Sequence, residues 1–201
     1  MKSLVIFFLD IFDFFYRLNF VNFFKKIKVN KFDIIFDVGA HKGESIVFFN
    51  KYFSVNKIIS FEPSPINFTK LEKFVKNKKF KSEVILENFG LGLREEKKQL
   101  NQAIESSSST FNEINYNSKY YNKKKNLLNF FSNKKYITKV EVNIINLKSY
   151  MINNKVDKVD LLKIDTEGFE FDVLSGLGDK IQQIKFIFFE HHYDDMYKKN
   201  Y

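Results

Sequence analysis

Four short apolar runs in this chain each end on a carboxylate. Ile34-Ile35-Phe36 leads into Asp37, Ile58-Ile59-Ser60-Phe61 into Glu62, Leu161-Leu162-Lys163-Ile164 into Asp165, and Phe186-Ile187-Phe188-Phe189 into Glu190. Runs of this length, rich in Ile, Leu and Phe and bounded by turn residues, read as buried strands. Helical spacing of apolar residues follows the first at 44–49, the second at about 66–76 (Phe68, Leu71, Phe74 and Val75 inward), and the third at 169–184 (Phe171, Val173, Leu174 and Leu177 inward). Such alternation implies parallel strands joined by right-handed crossovers. The expectation is an α/β fold, mostly parallel, with strands near 33–38, 57–62, 82–87, 159–165 and 185–190 and the first in the middle. In an open parallel sheet the carboxyl ends of the strands share one edge, and the ligand crevice forms there. One strand-end carboxylate is an ordinary solvated turn residue; four in register point to a polar ligand.

The turn after the first strand narrows the ligand. Asp37-Val38-Gly39-Ala40-His41-Lys42-Gly43 joins strand to helix with two glycines, which lets backbone pass close to a ligand at a helix N-terminus. The G-x-G-x-x-G of dinucleotide folds is missing, and so is the Gly-Lys-Ser/Thr of a phosphate loop. Glu62 lies 19 residues beyond Gly43, the spacing at which a carboxylate takes a ribose diol. A ribose-binding site without pyrophosphate chemistry fits S-adenosylmethionine, whose sulfonium tolerates nearby carboxylates.

With 201 residues the chain is long enough for one domain with a substantial core. No cysteine occurs, which excludes disulfides and thiolate metal sites and fits a reducing, cytoplasmic setting. The net charge of +9 comes from Lys rather than Arg and reads as solvated surface, not as a nucleic-acid footprint. Residues 1–30 form an expected amphipathic helical segment, with Leu4, Phe7, Phe8, Ile11, Phe14, Phe15 and Leu18 on one face. No charge-free stretch there reaches the ~18 residues a spanning helix needs, and no small-residue cleavage site follows. Packing on the domain is the first expectation for this helix. Peripheral membrane contact, helped by Lys25, Lys26 and Lys28, is the second. Residues 31–201 form the domain proper, interrupted at about 93–140 by an insertion of short strands and loops.

Several blocks taken together resemble the FkbM-type S-adenosylmethionine-dependent methyltransferases. They are Asp37 to Gly43, Phe61-Glu62-Pro63-Ser64-Pro65 with Asn67 and Leu71, Asn88-Phe89-Gly90-Leu91-Gly92 and the run Ser106 to Ser109. Leu162-Lys163-Ile164-Asp165-Thr166-Glu167-Gly168-Phe169-Glu170 is the most specific block; Val173-Leu174-Ser175-Gly176 and Phe189-Glu190-His191 complete the order. The resemblance implies a Rossmann-like class I methyltransferase sheet and O-methylation of a hydroxyl on a sugar, glycolipid or related small molecule. It implies that Asp37, Gly39, Ala40 and Gly43 line the methionine part of the cofactor, that Glu62 and Pro63 stand at the ribose, and that Asn88 lies near the adenine. Such folds carry a further helix and a β-hairpin after the fifth strand. With the chain ending at Tyr201, the expectation is a sheet whose edge lacks that hairpin.

Methyl transfer to a hydroxyl needs alignment and a base, because a sugar hydroxyl is a very weak acid. Asp165, Glu167, Glu190, His191 and His192 are expected at the ligand edge. His191 is the first choice of base, since imidazole titrates near neutrality; Glu190 or Glu167 would orient it or bind acceptor hydroxyls, and Lys163 would hold Asp165. No metal is expected, although Asp165 and Glu167 could share a divalent cation. Two other functions compete. The charge suggests a nucleic-acid methyltransferase, but Asn-Pro-Pro-aromatic is missing and there is no Arg cluster. The short C-terminus suggests a non-catalytic cofactor-binding protein.

Overall fold

The computed structural model describes residues 18–103, 109–113, 115–118, 122 and 137–189. Residues 18–26 form helix α1. Strand β1 (Lys31–Val38), helix α2 (Glu44–Tyr52), strand β2 (Ser54–Phe61), helix α3 (Pro65–Lys76) and strand β3 (Glu83–Glu87) follow. Next come β4 (Gly90–Leu91), β5 (Glu96–Ala103), β6 (Ile137–Ile145), helix α4 (Leu147–Asn153), β7 (Val159–Ile164), helix α5 (Glu170–Ser175), a 3₁₀ turn (Gly178–Gln183) and β8 (Ile184–Phe189).

The five-stranded sheet has the order β3-β2-β1-β7-β8 and every pairing in it is parallel. The expected strands are therefore present, with β1 in the middle. Register runs Ile35 to Ile58 on one side and Ile35 to Leu161 on the other. β1 is covered on both faces because successive side chains alternate. Ile35 joins Phe20, Phe24, Ile46, Phe49 and Leu71, from α1, α2 and α3. Its neighbour Phe36 joins Leu147, Tyr150, Met151, Val173 and Leu177, from α4, α5 and the turn after it. Each such fully buried side chain contributes roughly 1.5–3 kcal/mol. The chain winds one way from β1 and returns to its other side at β7, so the strand order reverses between them. That reversal is where open α/β sheets place a ligand.

The described part of helix α1 packs on the sheet, with Leu18, from the expected face, half-buried. Phe20, Val21 and Phe24 are buried, and Phe20 meets Phe188 at 4.7 Å while Phe24 meets Phe186 at 5.1 Å. Leu4, Phe7, Phe8, Ile11, Phe14 and Phe15 lie outside the described residues. No described helix is long and apolar enough to cross a membrane.

One expectation is corrected. Residues 169–184 do not make one helix: α5 ends at Ser175 and a 3₁₀ turn continues the path. The chain turns left-handed at Gly178, with φ 53°, and Gly176 packs so closely on the loop after β4 that a Cβ there would stand 2.1 Å from the Gly92 carbonyl oxygen. Phe171 is 68% exposed rather than inward, while Val173 and Leu177 are buried. The insertion, in turn, contributes a second sheet of order β4-β6-β5, in which β5 and β6 pair antiparallel along eight residues. Among the described residues β8 pairs with β7 alone, and residues 190–201 lie outside the description.

Candidate active site at the carboxyl edge of the sheet

The turn after β1 is fixed by its neighbours. Gly39 and Ala40 donate their N–H groups to the Phe61 carbonyl at 3.0 and 3.1 Å. Gly39 has φ +78°, and a Cβ on it would lie 1.8 Å from the Asp165 carbonyl oxygen. Only glycine fits there, because the turn crosses directly over the end of β7. His41 is left-handed, with φ 50°, and lines a cleft of ≈ 370 Å³. Its Nδ1 is 3.3 Å from the carboxylate of Glu44, the first residue of α2. Burial opposes the charge on Glu44, but His41 and the Lys42 N–H outweigh it and hold the carboxyl at about 2.

Glu62 closes the end of β2 and is 5% exposed. Its Oε2 accepts from the His41 N–H at 2.8 Å and its Oε1 from the Ser64 N–H at 2.9 Å. Burial dominates these bonds and pushes the carboxyl up to about 7. Ser64 caps α3, accepting from the Asn67 N–H at 3.3 Å, with Pro65 as the first helical residue.

Beneath the cleft floor Lys163 Nζ is 3.1 Å from Asp37 Oδ1, 3.5 Å from Asp165 Oδ2 and 3.1 Å from the Gly39 carbonyl oxygen. Asp37 is fully buried. Desolvation alone would discharge Lys163, but the two carboxylates overcome it and raise its pKa above the usual lysine range. Lys163 thus compensates the buried Asp37 first and Asp165 second.

The turn after β7 is held by side chains. Glu167 has φ 55° and Gly168 φ 96°. Buried Glu170 accepts through Oε1 from the Thr166 N–H at 3.1 Å, the Thr166 hydroxyl at 3.0 Å and the Gly168 N–H at 2.9 Å. From the opposite side, Thr110 Oγ1 donates to the Glu167 carbonyl at 2.7 Å and Asn112 Nδ2 to the Gly168 carbonyl at 2.6 Å. The Phe111 ring meets Phe169 at a tilt, with centroids 5.1 Å apart. The insertion therefore buttresses the Thr166-Glu167-Gly168 turn.

The cleft gathers Gly39, Ala40, Glu62, Pro63, Lys163, Asp165 and Glu167 of the expected residues. Three others stand elsewhere. Asp37 lies under the floor, paired to Lys163. Gly43 does not line the cleft; it has φ +95°, a conformation that favours glycine, and a Cβ on it would meet Phe74 and Leu71 of α3 at 2.9–3.1 Å. Asn88 donates to the Glu62 carbonyl at 2.8 Å and ties the ends of β2 and β3 together without lining the cleft. Glu190, His191 and His192 lie outside the described residues, and no cluster of potential metal ligands occurs among those described.

Other lining residues were not expected to contribute: His41, Asn67, Phe89, Ser109, Phe111 and Thr166. All but Phe111 belong to the sequence blocks quoted above, where their order alone gives them no role. Asn67 is 2% exposed, and its Oδ1 has no hydrogen-bond partner.

No match to this chain was found among curated proteins or solved structures. The Methyltransferase FkbM domain, by contrast, matches residues 37–201, from the last two residues of β1 through the other strands of the sheet and both turns of the cleft. The chain is a member of the FkbM methyltransferase family.

Proposed function

We propose that this methyltransferase uses S-adenosylmethionine to methylate a hydroxyl of a sugar, glycolipid or related small molecule. The observation that carries the reading is Glu62: a buried carboxylate fixed by two backbone N–H groups on the wall of a cleft at the switch point of the sheet. Its geometry suits a ribose. The surrounding Glu44, Asp165 and Glu167 suit a cationic sulfonium, and Lys163 is committed to two carboxylates rather than to a phosphate. The volume is within the range of small-molecule sites.

Held against Glu62, the cofactor would supply an electrophilic methyl group with a neutral thioether as its leaving group. The chain's own residues hold the acceptor oxygen in line and take its proton. Glu167 lines the cleft from a turn whose backbone is pinned on both sides, and we assign it to the acceptor side with Asp165. His191 is the remaining candidate base, and His191→Ala against Glu167→Gln decides between them: the true base should lose about 10²–10⁴-fold in turnover.

Calorimetry tests the cofactor. S-adenosylhomocysteine should bind, and Glu62→Ala should weaken it by roughly 1.5–3 kcal/mol, about ten- to a hundredfold. Tighter binding of a nicotinamide dinucleotide would overturn the reading. Transfer of labelled methyl groups to a carbohydrate extract of the source cells tests the acceptor class; label in nucleic acid instead would replace it.

A further inference from the structure

Phe61 and Phe89 bring their rings to the cleft from the ends of β2 and β3, whereas Phe111 comes from the insertion. Its neighbours in the chain fix it beside Glu167. Thr110 Oγ1 donates to the Glu167 carbonyl and Asn112 Nδ2 to the Gly168 carbonyl. On the other side Thr110 and Asn101 of β5 exchange both backbone hydrogen bonds, at 2.9 and 3.1 Å, and Asn101 Nδ2 donates to the Asn112 carbonyl at 2.9 Å. Phe111 therefore stands between two residues that are each tied to β5 and to the turn after β7. Its ring also presses on β4: a Cβ on Gly90 would stand 2.6 Å from Ile144 Cδ1 and 3.0 Å from Phe111 Cζ. Held from so many sides, the ring is still only half-buried, and it lines the cleft. Covering it would remove apolar surface from water. The face of a phenyl ring is its negative part, and it attracts C–H groups polarised by neighbouring oxygens. A pyranose has a face of such C–H groups and a rim of hydroxyls, and the carboxylates of Asp165 and Glu167 line the same cleft.

We infer that Phe111 is a specificity-determining residue of the acceptor site: its ring takes the C–H face of a pyranose while Glu167 and Asp165 take the hydroxyls at its rim, the methylated one among them. This rests on the reading of the cleft as a methyltransferase site for a sugar hydroxyl. It narrows that acceptor from any hydroxyl-bearing molecule to a ring sugar with one flat apolar face.

Transfer of labelled methyl groups to a carbohydrate extract of the source cells tests this on wild type, Phe111→Leu and Phe111→Tyr, with calorimetry of S-adenosylhomocysteine alongside. Phe111→Leu keeps apolar volume against Ile144 and Phe169 but removes the ring face. Its transfer at limiting extract should fall about five- to thirtyfold and recover as extract is raised, while its affinity for S-adenosylhomocysteine stays within about twofold. Phe111→Tyr restores a ring face and should regain most of the loss. If Phe111→Leu does not fold, Phe111→Met fills the same space without a ring and should give the same pattern. A leucine variant that transfers like wild type at limiting extract would overturn the inference. So would an equal loss of affinity for S-adenosylhomocysteine, which would put the ring against the nucleobase. Wild type that labels no carbohydrate would instead remove the acceptor reading beneath the inference, and the inference with it.

Discussion

The two turns that face each other across the cleft place a non-glycine residue in the same unusual backbone region, His41 at φ 50° and Glu167 at φ 55°. They are held by opposite means. The turn after β1 hangs on the sheet itself: Gly39 and Ala40 donate to Phe61, and His41 donates to the carboxylate that ends the adjacent strand. The turn after β7 hangs on side chains brought from α5 and from the insertion, namely Glu170, Thr110 and Asn112. Left-handed conformations persist where the surroundings over-determine them. The first turn is over-determined by strand order, the second by a separate piece of structure. The Glu62 side of the cleft is thus part of the fold, while the Glu167 side is attached to a segment outside the five-stranded sheet.

Substitution at Gly39 should break the first turn most severely. Gly39→Val adds a side chain against the Asp165 carbonyl, 1.8 Å from where its Cβ would stand, at a φ that β-branched residues avoid. The expected loss is at least about 3 kcal/mol, enough to prevent folding, read by thermal denaturation. A variant that melts like wild type would show that strand order does not fix this turn.

Acidity should act on the same turn through Glu62. Its carboxyl is raised from 4.5 to about 7, so between those values the folded state holds more protons than the unfolded one. Stability of the free protein should therefore fall as pH rises from about 4.5 to 7, by an amount on the order of 3 kcal/mol, and level off above. Ribose hydroxyls donate best to the ionised form, so S-adenosylhomocysteine affinity should rise over the upper part of that window. Glu62→Gln should flatten both curves in denaturation and calorimetry across pH.

The second turn should respond to its side-chain anchors. Glu170→Ala leaves the donors of Thr166 and Gly168 without their acceptor and should cost about 2–3 kcal/mol in urea unfolding. Thr110→Val keeps the shape but removes the bond to the Glu167 carbonyl, for about 1 kcal/mol. Both should lower methyl transfer more than they lower cofactor affinity. An equal loss in the two readouts would mean that the turns are not independent.

The same division explains what could be read from the chain. The apolar runs ending in Asp37, Glu62 and Asp165 gave the strands, their parallel order and the edge where the cleft lies, because local pattern decides them. That Gly43 packs beside Phe74 and Leu71 could not be read from the chain, because a glycine turn looks alike whether it makes room for a ligand or for a neighbouring helix. Phe171 was expected inward because it is apolar, yet α5 turns Val173 to the core and leaves Phe171 exposed; apolar spacing also carried the helix past the left-handed Gly178. Thr110 and Asn112 gave no sign of their bonds to Glu167 and Gly168, since those partners lie 57 and 56 residues away along the chain. Asn67 stood in a recognised block, but its unpaired oxygen emerges only when α3 is folded against β2.

The ring contacts of Phe20 and Phe24 with Phe188 and Phe186 set the order in which the protein can be made. Helix α1 leaves the ribosome early, yet part of the surface that buries its rings is β8, at the far end of the described chain. The central strand β1 waits likewise for β7, which supplies its second neighbour only after the insertion has been synthesised. A nascent chain halted before β7 would present the aromatic side of α1 and an unpaired edge of β1 together, a combination prone to self-association. Pairings this distant in sequence also slow closure of the sheet. Synthesis should therefore be most vulnerable across the long lysine- and asparagine-rich insertion, where a pause leaves the half-sheet uncovered.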